Sequence, residues 1–240
     1  MFGGAWQFEG WLRLLAERGY AAYAMNLRGH HDSRPVVDLG RVSVLDFVKD
    51  ALAVAKGLGA PAVLGHSMGG LIAQKLAESD AVCAAVLLSS TPPRGIPVTS
   101  PMLIGRQLKY LPQMLFSRPI NPDRKDADRL LFNGTPPAEA DAIFERLVAE
   151  SGTAARELSL GAVAIDARRV RCPVLSVSAN EDRLVPPRIG RALVKKYLAE
   201  PLVVDGHAHL VIIEAGWENV AARVLDWLDR VVGKTARVKA

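Results

Sequence analysis

A serine hydroxyl attacks an acyl carbon only where a neighbouring base takes its proton, and a histidine serves as that base best where a carboxylate orients it. One segment suits the nucleophile: Gly65-His66-Ser67-Met68-Gly69 fits the pattern G-x-S-x-G. At average glycine and serine usage such a match arises in roughly one chain in ten of this length, so its surroundings decide its meaning. Pro61 to Leu64 is a short apolar run of strand type and Leu71 to Glu78 reads as helix. Ser67 therefore falls on the tight strand-to-helix turn that holds such a hydroxyl above a sheet edge. Side chains at Gly65 and Gly69 are expected to collide where strand and helix converge, and the helix N-terminus aims N–H groups, that of Met68 first, at a developing oxyanion.

The partners should follow in the order acid, then histidine. Asp182 lies in Asn180-Glu181-Asp182-Arg183-Leu184-Val185-Pro186-Pro187, just past the apolar run Cys172 to Ser178, and His209 lies in Gly206-His207-Ala208-His209, past the run at Pro201 to Val204. Both would sit in loops at carboxyl ends of strands, the edge where open α/β sheets gather ligands. Glu181 and His207 are the alternatives for acid and base. Asp205 and Glu214 read as solvated or helix-capping, His66 as a packing residue, and His30 and His31 as decoration of the rim.

These residues need a frame to hold them. Tyr20 to Met25, Pro61 to Leu64, Val82 to Ser89, Cys172 to Ser178 and Pro201 to Val204 are apolar runs of strand length, typical of strands covered on both faces. Helical patterns separate them, as in Ser43 to Leu58 with Val44, Phe47, Val48, Leu52 and Ala55 on one face. The fold class is α/β, a mostly parallel sheet with helices on both faces. Between Thr91 and Asp166 the alternation stops and proline-punctuated helical pieces replace it. Residues 92–166 are expected to form a helical cap, with 1–91 and 167–240 as the core. Thr135-Pro136 has the form of a helix start, an N-cap hydroxyl before a first-turn proline. Met102, Leu108, Leu111 and Leu115 are expected to line an apolar substrate pocket.

Half of the 240 residues are hydrophobic and 23% are charged, so the chain can bury a full core. The surplus of 30 Lys and Arg over 25 Asp and Glu is spread along the chain without interleaved aromatics, which argues against nucleic acid as a partner. The longest apolar run, Ala81 to Leu88, is short of the ~20 residues of a membrane helix, and no secretory signal precedes the first helix. Cys83 and Cys172 lack metal-ligand or redox spacing and read as buried, reduced thiols, compatible with a cytoplasmic location.

Gly65 to Gly70, the loop Asp182 to Pro187, and His209 followed by Glu214 and Trp217 together resemble the α/β-hydrolase superfamily, in particular its small capped esterase and lysophospholipase-like members. Leu27-Arg28-Gly29-His30 resembles a loop of the same family, with Asn26 where relatives often have aspartate. The resemblance implies Ser67 as nucleophile, Asp182 as orienting acid, His209 as base, and hydrolysis of an apolar carboxylic ester through an acyl-enzyme, with no metal and no cofactor. Thioester or carbon–carbon cleavage by the same triad, and non-catalytic ligand binding on the same frame, are the alternatives. In relatives a strand and a His-Gly loop precede the first helix and supply a second oxyanion N–H. Met1-Phe2-Gly3-Gly4 resembles the end of that loop, so Met1 or Phe2 would supply the N–H. The N-terminal strands, including the central one between Tyr20 to Met25 and Pro61 to Leu64, are then expected to be missing, and the natural chain to begin further upstream.

Overall fold

In the computed structural model, residues 1–97, 105 and 108–232 are described. Four parallel strands, β1 (Ala62–His66), β2 (Ala84–Leu88), β3 (Val174–Ala179) and β4 (Glu200–Val204), stand side by side in chain order. Register pairs are Ala62 with Ala84, Ala85 with Val174, and Leu175 with Glu200. Parallel neighbours need crossovers, and helices supply them: α3 (Met68–Ala77) between β1 and β2, and α8 (Pro187–Tyr197) between β3 and β4.

Successive side chains of a strand point to opposite faces, and both faces of this sheet are covered. Ala85, Leu87 and Val174 pack with Phe47 and Val48 of α2 (Val44–Gly57), with Leu71 and Ile72 of α3, and with Ile189 and Leu193 of α8. Ala84, Val86, Leu88, Leu175 and Val177 turn the other way, onto Trp11 of α1 (Glu9–Glu17) and Val224, Trp227 and Leu228 of α9 (Trp217–Val231). This two-sided burial is why the strands read as continuous apolar runs rather than alternating ones. The start of α2 is fixed by a capping box in which Ser43 and Asp46 exchange side-chain and backbone hydrogen bonds.

Residues 92–166 include the short α-helices α4 (Leu111–Leu115), α5 (Arg124–Leu130), α6 (Pro137–Glu145) and α7 (Gly152–Ser159). Phe132 and Ala140 from this stretch pack with Leu210, while Ala154 and Leu158 of α7 join the core beside α2. The α6 cap is Pro136, not Thr135. A residue before proline is held extended, so Pro136, preceding Pro137, takes the N-cap position with ψ 146°, and the Thr135 hydroxyl is buried without a hydrogen-bond partner.

Tyr20 to Met25 is not a strand. Residues 21–25 take no regular secondary structure, Tyr23 is 70% exposed, and no backbone hydrogen bond joins residues 21–26 to another described segment. A single cavity of about 830 Å³ is lined both by Tyr20, Ala22 and Ala24 and by Ala62, Leu64 and Gly65 of β1. The two segments therefore do not pair, and the cavity lies between them. The thiols also differ from expectation: Cys83 is exposed and Cys172 partly so, since they stand before the first residues of β2 and β3 rather than within the doubly covered strands. No described helix is long and apolar enough to cross a membrane.

Candidate active site

Ser67 occupies the turn between β1 and α3 with φ 54° and ψ −118°. That positive φ is a strained state for a non-glycine residue, and the surroundings over-determine it. The Ser67 N–H donates to the Leu88 carbonyl at 3.0 Å, and the Ser67 carbonyl accepts from Gly70 and Thr91, both at 3.0 Å. A Cβ on Gly65 would lie 2.1 Å from the Gly69 carbonyl oxygen, and one on Gly70 2.2 Å from Ser90 Oγ. The steric demand expected at Gly69 is absent, since a Cβ there meets nothing within 4 Å. Gly69 faces the open cavity, and Gly70 carries the second close approach instead.

The loop after β3 brings Asp182 to this edge. Its Oδ1 accepts the Leu184 and Val185 N–H groups at 2.9 and 2.7 Å, which leaves Oδ2 turned to His209 Nδ1 at 2.9 Å. On the far side of the ring, His209 Nε2 lies 3.0 Å from Ser67 Oγ. All three residues are buried. With Nδ1–H donated to the carboxylate, Nε2 is the unprotonated nitrogen that faces the hydroxyl. Glu181 is exposed and takes no part in this chain of bonds.

Around His209 are three groups whose part the sequence did not show. His66 Nε2 meets the His209 carbonyl at 2.7 Å, its ring centroid 4.8 Å from that of His209. A carbonyl can only accept, so His66 carries its proton on Nε2. Burial and the neighbouring His209 hold its pKa well below the usual value, which keeps a positive charge on His66 away from the His209 ring. His66 thus ties down His209 through its carbonyl rather than merely packing beside it. Glu214 is buried, not solvated. Its Oε1 accepts the Ala208 N–H at 2.8 Å and faces His207 Nδ1 at 3.1 Å, so the loop carrying His209 is closed on itself. Burial raises the Glu214 carboxyl above its usual range, against the pull of the Ala208 N–H and His207. The loops carrying Asp182 and His209 are joined by the Glu181 N–H donating to the His207 carbonyl at 3.0 Å, and Asn133 Nδ2 donates to the Glu181 carbonyl, also at 3.0 Å.

His30 does not decorate a rim. It is 2% exposed, and its Nε2 lies 3.2 Å from the fully buried Glu150 carboxylate while Nδ1 donates to the Arg28 carbonyl at 3.1 Å. Both nitrogens face acceptors, which favours the imidazolium. Burial alone would lower the His30 pKa, but the hydrogen bond and charge of Glu150 outweigh it and the net shift is upward, with Glu150 shifted down in return. His31 lies at a separate small pocket with Asn26, Asp32 and Arg146.

The cavity above Ser67 and His209 includes Met1, Phe2 and Met68 in its walls. Phe2 has φ 63°, and Asn26 Oδ1 accepts the Ala5 N–H at 2.7 Å, tying this front loop to the segment behind it. Met68 opens α3, so its N–H is one of the helix's unpaired donors. From the helical stretch, Tyr110, Met114, Phe132, Ile143 and Leu147 line the cavity. Leu108, Leu111 and Leu115 do not, being 61%, 45% and 59% exposed. Over so short a helix only one phase can face inward, and it is that of Tyr110 and Met114. Met102 lies outside the described residues. No cluster of three metal-ligating side chains occurs among the described residues.

A parallel sheet wrapped by helices, with a serine at the strand-to-helix turn and an acid and a histidine on two later strand ends, defines a class of protein. Residues 2–223 match the alpha/beta hydrolase family, and the chain belongs to it. No curated protein matches its sequence. Among solved structures it is similar to a monoacylglycerol lipase of Paleococcus ferrophilus, with 23% identity, TM-score 0.74, and 95% of this chain and 90% of the other covered. A methylesterase from Arabidopsis gives 14% identity and TM-score 0.72, with 95% of each chain covered. Tomato methylketone synthase I bound to 2-tridecanone gives 16% identity and TM-score 0.73, with 96% and 95% covered. At these identities the likeness is one of fold.

Proposed function

We propose that this chain is a serine hydrolase that cleaves a carboxylic ester with an apolar acyl or alcohol group. The observation that carries the reading is the unbroken hydrogen-bond chain from Ser67 Oγ to His209 Nε2 and from His209 Nδ1 to Asp182, at 3.0 and 2.9 Å. Ser67 Oγ would attack the ester carbonyl carbon while His209 Nε2 takes its proton, and Asp182 would hold the ring and stabilise the imidazolium. The Met68 N–H, with that of Met1 or Phe2, would stabilise the tetrahedral oxyanion. His209 would then protonate the departing alcohol, and a water activated by the same nitrogen would free the acid from Ser67.

Residues 92–166 act in this reading as the cap over the site, and the apolar wall of Met114, Phe132, Ile143 and Leu147 receives the apolar group of the substrate. The test is turnover of p-nitrophenyl esters of graded acyl length by the chain and by Ser67→Ala. Hydrolysis that depends on Ser67 is the expected result. Equal rates for the two proteins would overturn the proposal.

A further inference from the structure

Cys83 and Cys172 are 89 positions apart in the chain, yet the sheet makes them neighbours. Ala85 of β2 is in register with Val174 of β3, its N–H donating to the Pro173 carbonyl at 3.0 Å, and Cys83, immediately before β2, and Cys172, two residues before β3, come side by side at the amino ends of these strands. Ala85 and Leu87 share a face with Val174, and Cys172 packs against that same cluster. Parallel neighbours are ~4.7–4.9 Å apart, inside the ~4.4–6.8 Å between Cα atoms that a disulfide spans. Neither thiol is sealed in: Cys83 is exposed and Cys172 partly so, and both are free.

We propose that Cys83 and Cys172 form a dithiol site, oxidised by small-molecule disulfides to an intramolecular disulfide that closes the base of the segment between β2 and β3. The Cys83 thiolate, the more accessible, attacks one sulfur of the reagent disulfide, giving a mixed disulfide and releasing one reagent thiolate. The Cys172 thiolate then attacks the Cys83 sulfur, forming the Cys83–Cys172 bond and expelling the second reagent thiolate. Two protein thiols are oxidised, one reagent disulfide is reduced to two thiols, and the protons go to solvent or to the released thiolates. Burial pushes both thiols above their usual pKa, and at Cys172 the charges of Cys83 and Asp80 add to this. The exchange therefore draws on the thiolate most readily at mildly alkaline pH.

Two consequences follow from where the pair sits. The closed loop spans about 90 residues and includes the whole helical stretch 92–166, so the bond removes much of the unfolded chain's freedom. The pair also lies at the amino ends of β2 and β3, about 16 Å along the strands from Ser67's edge, so oxidation should stabilise the fold without altering ester turnover.

The experiment treats the folded chain with oxidised glutathione at about pH 8.5, then maps cysteines by non-reducing peptide mass spectrometry. Melting and p-nitrophenyl butyrate hydrolysis are measured before and after. The expected product is a monomer in which the peptides holding Cys83 and Cys172 are joined with loss of two hydrogens. Its melting temperature should rise by about 5–15 °C, and turnover should stay within about twofold of the reduced protein. Cys83→Ser and Cys172→Ser should each abolish the cross-link. A glutathione adduct that persists on Cys83 beside a free Cys172, a dimer bridged between chains, or a cross-link that forms as fast in urea as in the folded state would overturn the proposal.

Discussion

Ser67 sits in a backbone state that its residue type disfavours, and the fold holds it there with three backbone hydrogen bonds and two glycines that admit no Cβ. The strain belongs to placing a hydroxyl rather than to filling the core. Ser67→Ala is accordingly expected to leave the melting temperature nearly unchanged while cutting ester turnover by a factor on the order of 10⁴. Thermal melts and initial rates on the same samples check both halves. His209→Ala should be nearly as damaging, because no other imidazole faces Ser67. His207→Ala should be mild by comparison, and a reversed ranking would move the base to His207. Glu214→Ala tests the brace: it leaves the Ala208 N–H and His207 without their shared acceptor, at a cost of about 1–3 kcal/mol in stability. Denaturant titration of wild type and variant measures it.

At the scale of elements, the tie between the Arg28–His30 loop and the helical stretch rests on the buried pair His30–Glu150. Removing either partner leaves an uncompensated charge in the interior, so His30→Ala is expected to destabilise by about 3–5 kcal/mol. The pH dependence has two limbs. His30, whose pKa rises on folding from an ordinary 6.5, contributes stability that is complete below that value and is lost as pH climbs through the raised one. Glu150, lowered on folding from 4.5, contributes stability that is complete above that value and is lost as pH falls through the lowered one. The wild type should therefore exceed the double variant His30→Gln, Glu150→Gln by most between these two values, and the margin should shrink on either side. Melts of both proteins across pH 4–9 check this, and a margin independent of pH would remove the pair from the account. The outer edge of β1 gives a second expectation. Among the described residues its amides that face away from β2 have no strand partner, and they should exchange with deuterium far faster than those of β2 and β3.

For the whole molecule, what could be read from the sequence divides by range. The turn at Ser67 was legible because its strand, glycines and helix are contiguous, and Asp182 and His209 because each follows a strand within a few residues. Two-sided burial made the strands visible as apolar runs. The His30–Glu150 pair was not legible, since its members are 120 positions apart and neither stands in a motif. Nor was the role of Glu214, whose acceptor duty depends on how its loop closes. Tyr20 to Met25 has the composition of a strand, yet residues 21–25 belong to no strand, and composition alone carries no record of which segments pair. The phase of the segment around Tyr110 failed for a different reason: five helical residues hold too little periodicity to tell Met114 from Leu111 and Leu115.

The central claim is that His209 and Asp182 activate Ser67, and covalent labelling reads that activation without knowledge of the natural substrate. A fluorophosphonate probe is attacked only by a serine whose proton is taken by a base, so intact-mass spectrometry followed by peptide mapping locates the reaction. The expected product is one adduct per chain, on Ser67, formed rapidly in the wild type, absent in Ser67→Ala and slowed by orders of magnitude in His209→Ala. An unlabelled wild type, or a probe carried by another residue, would contradict it.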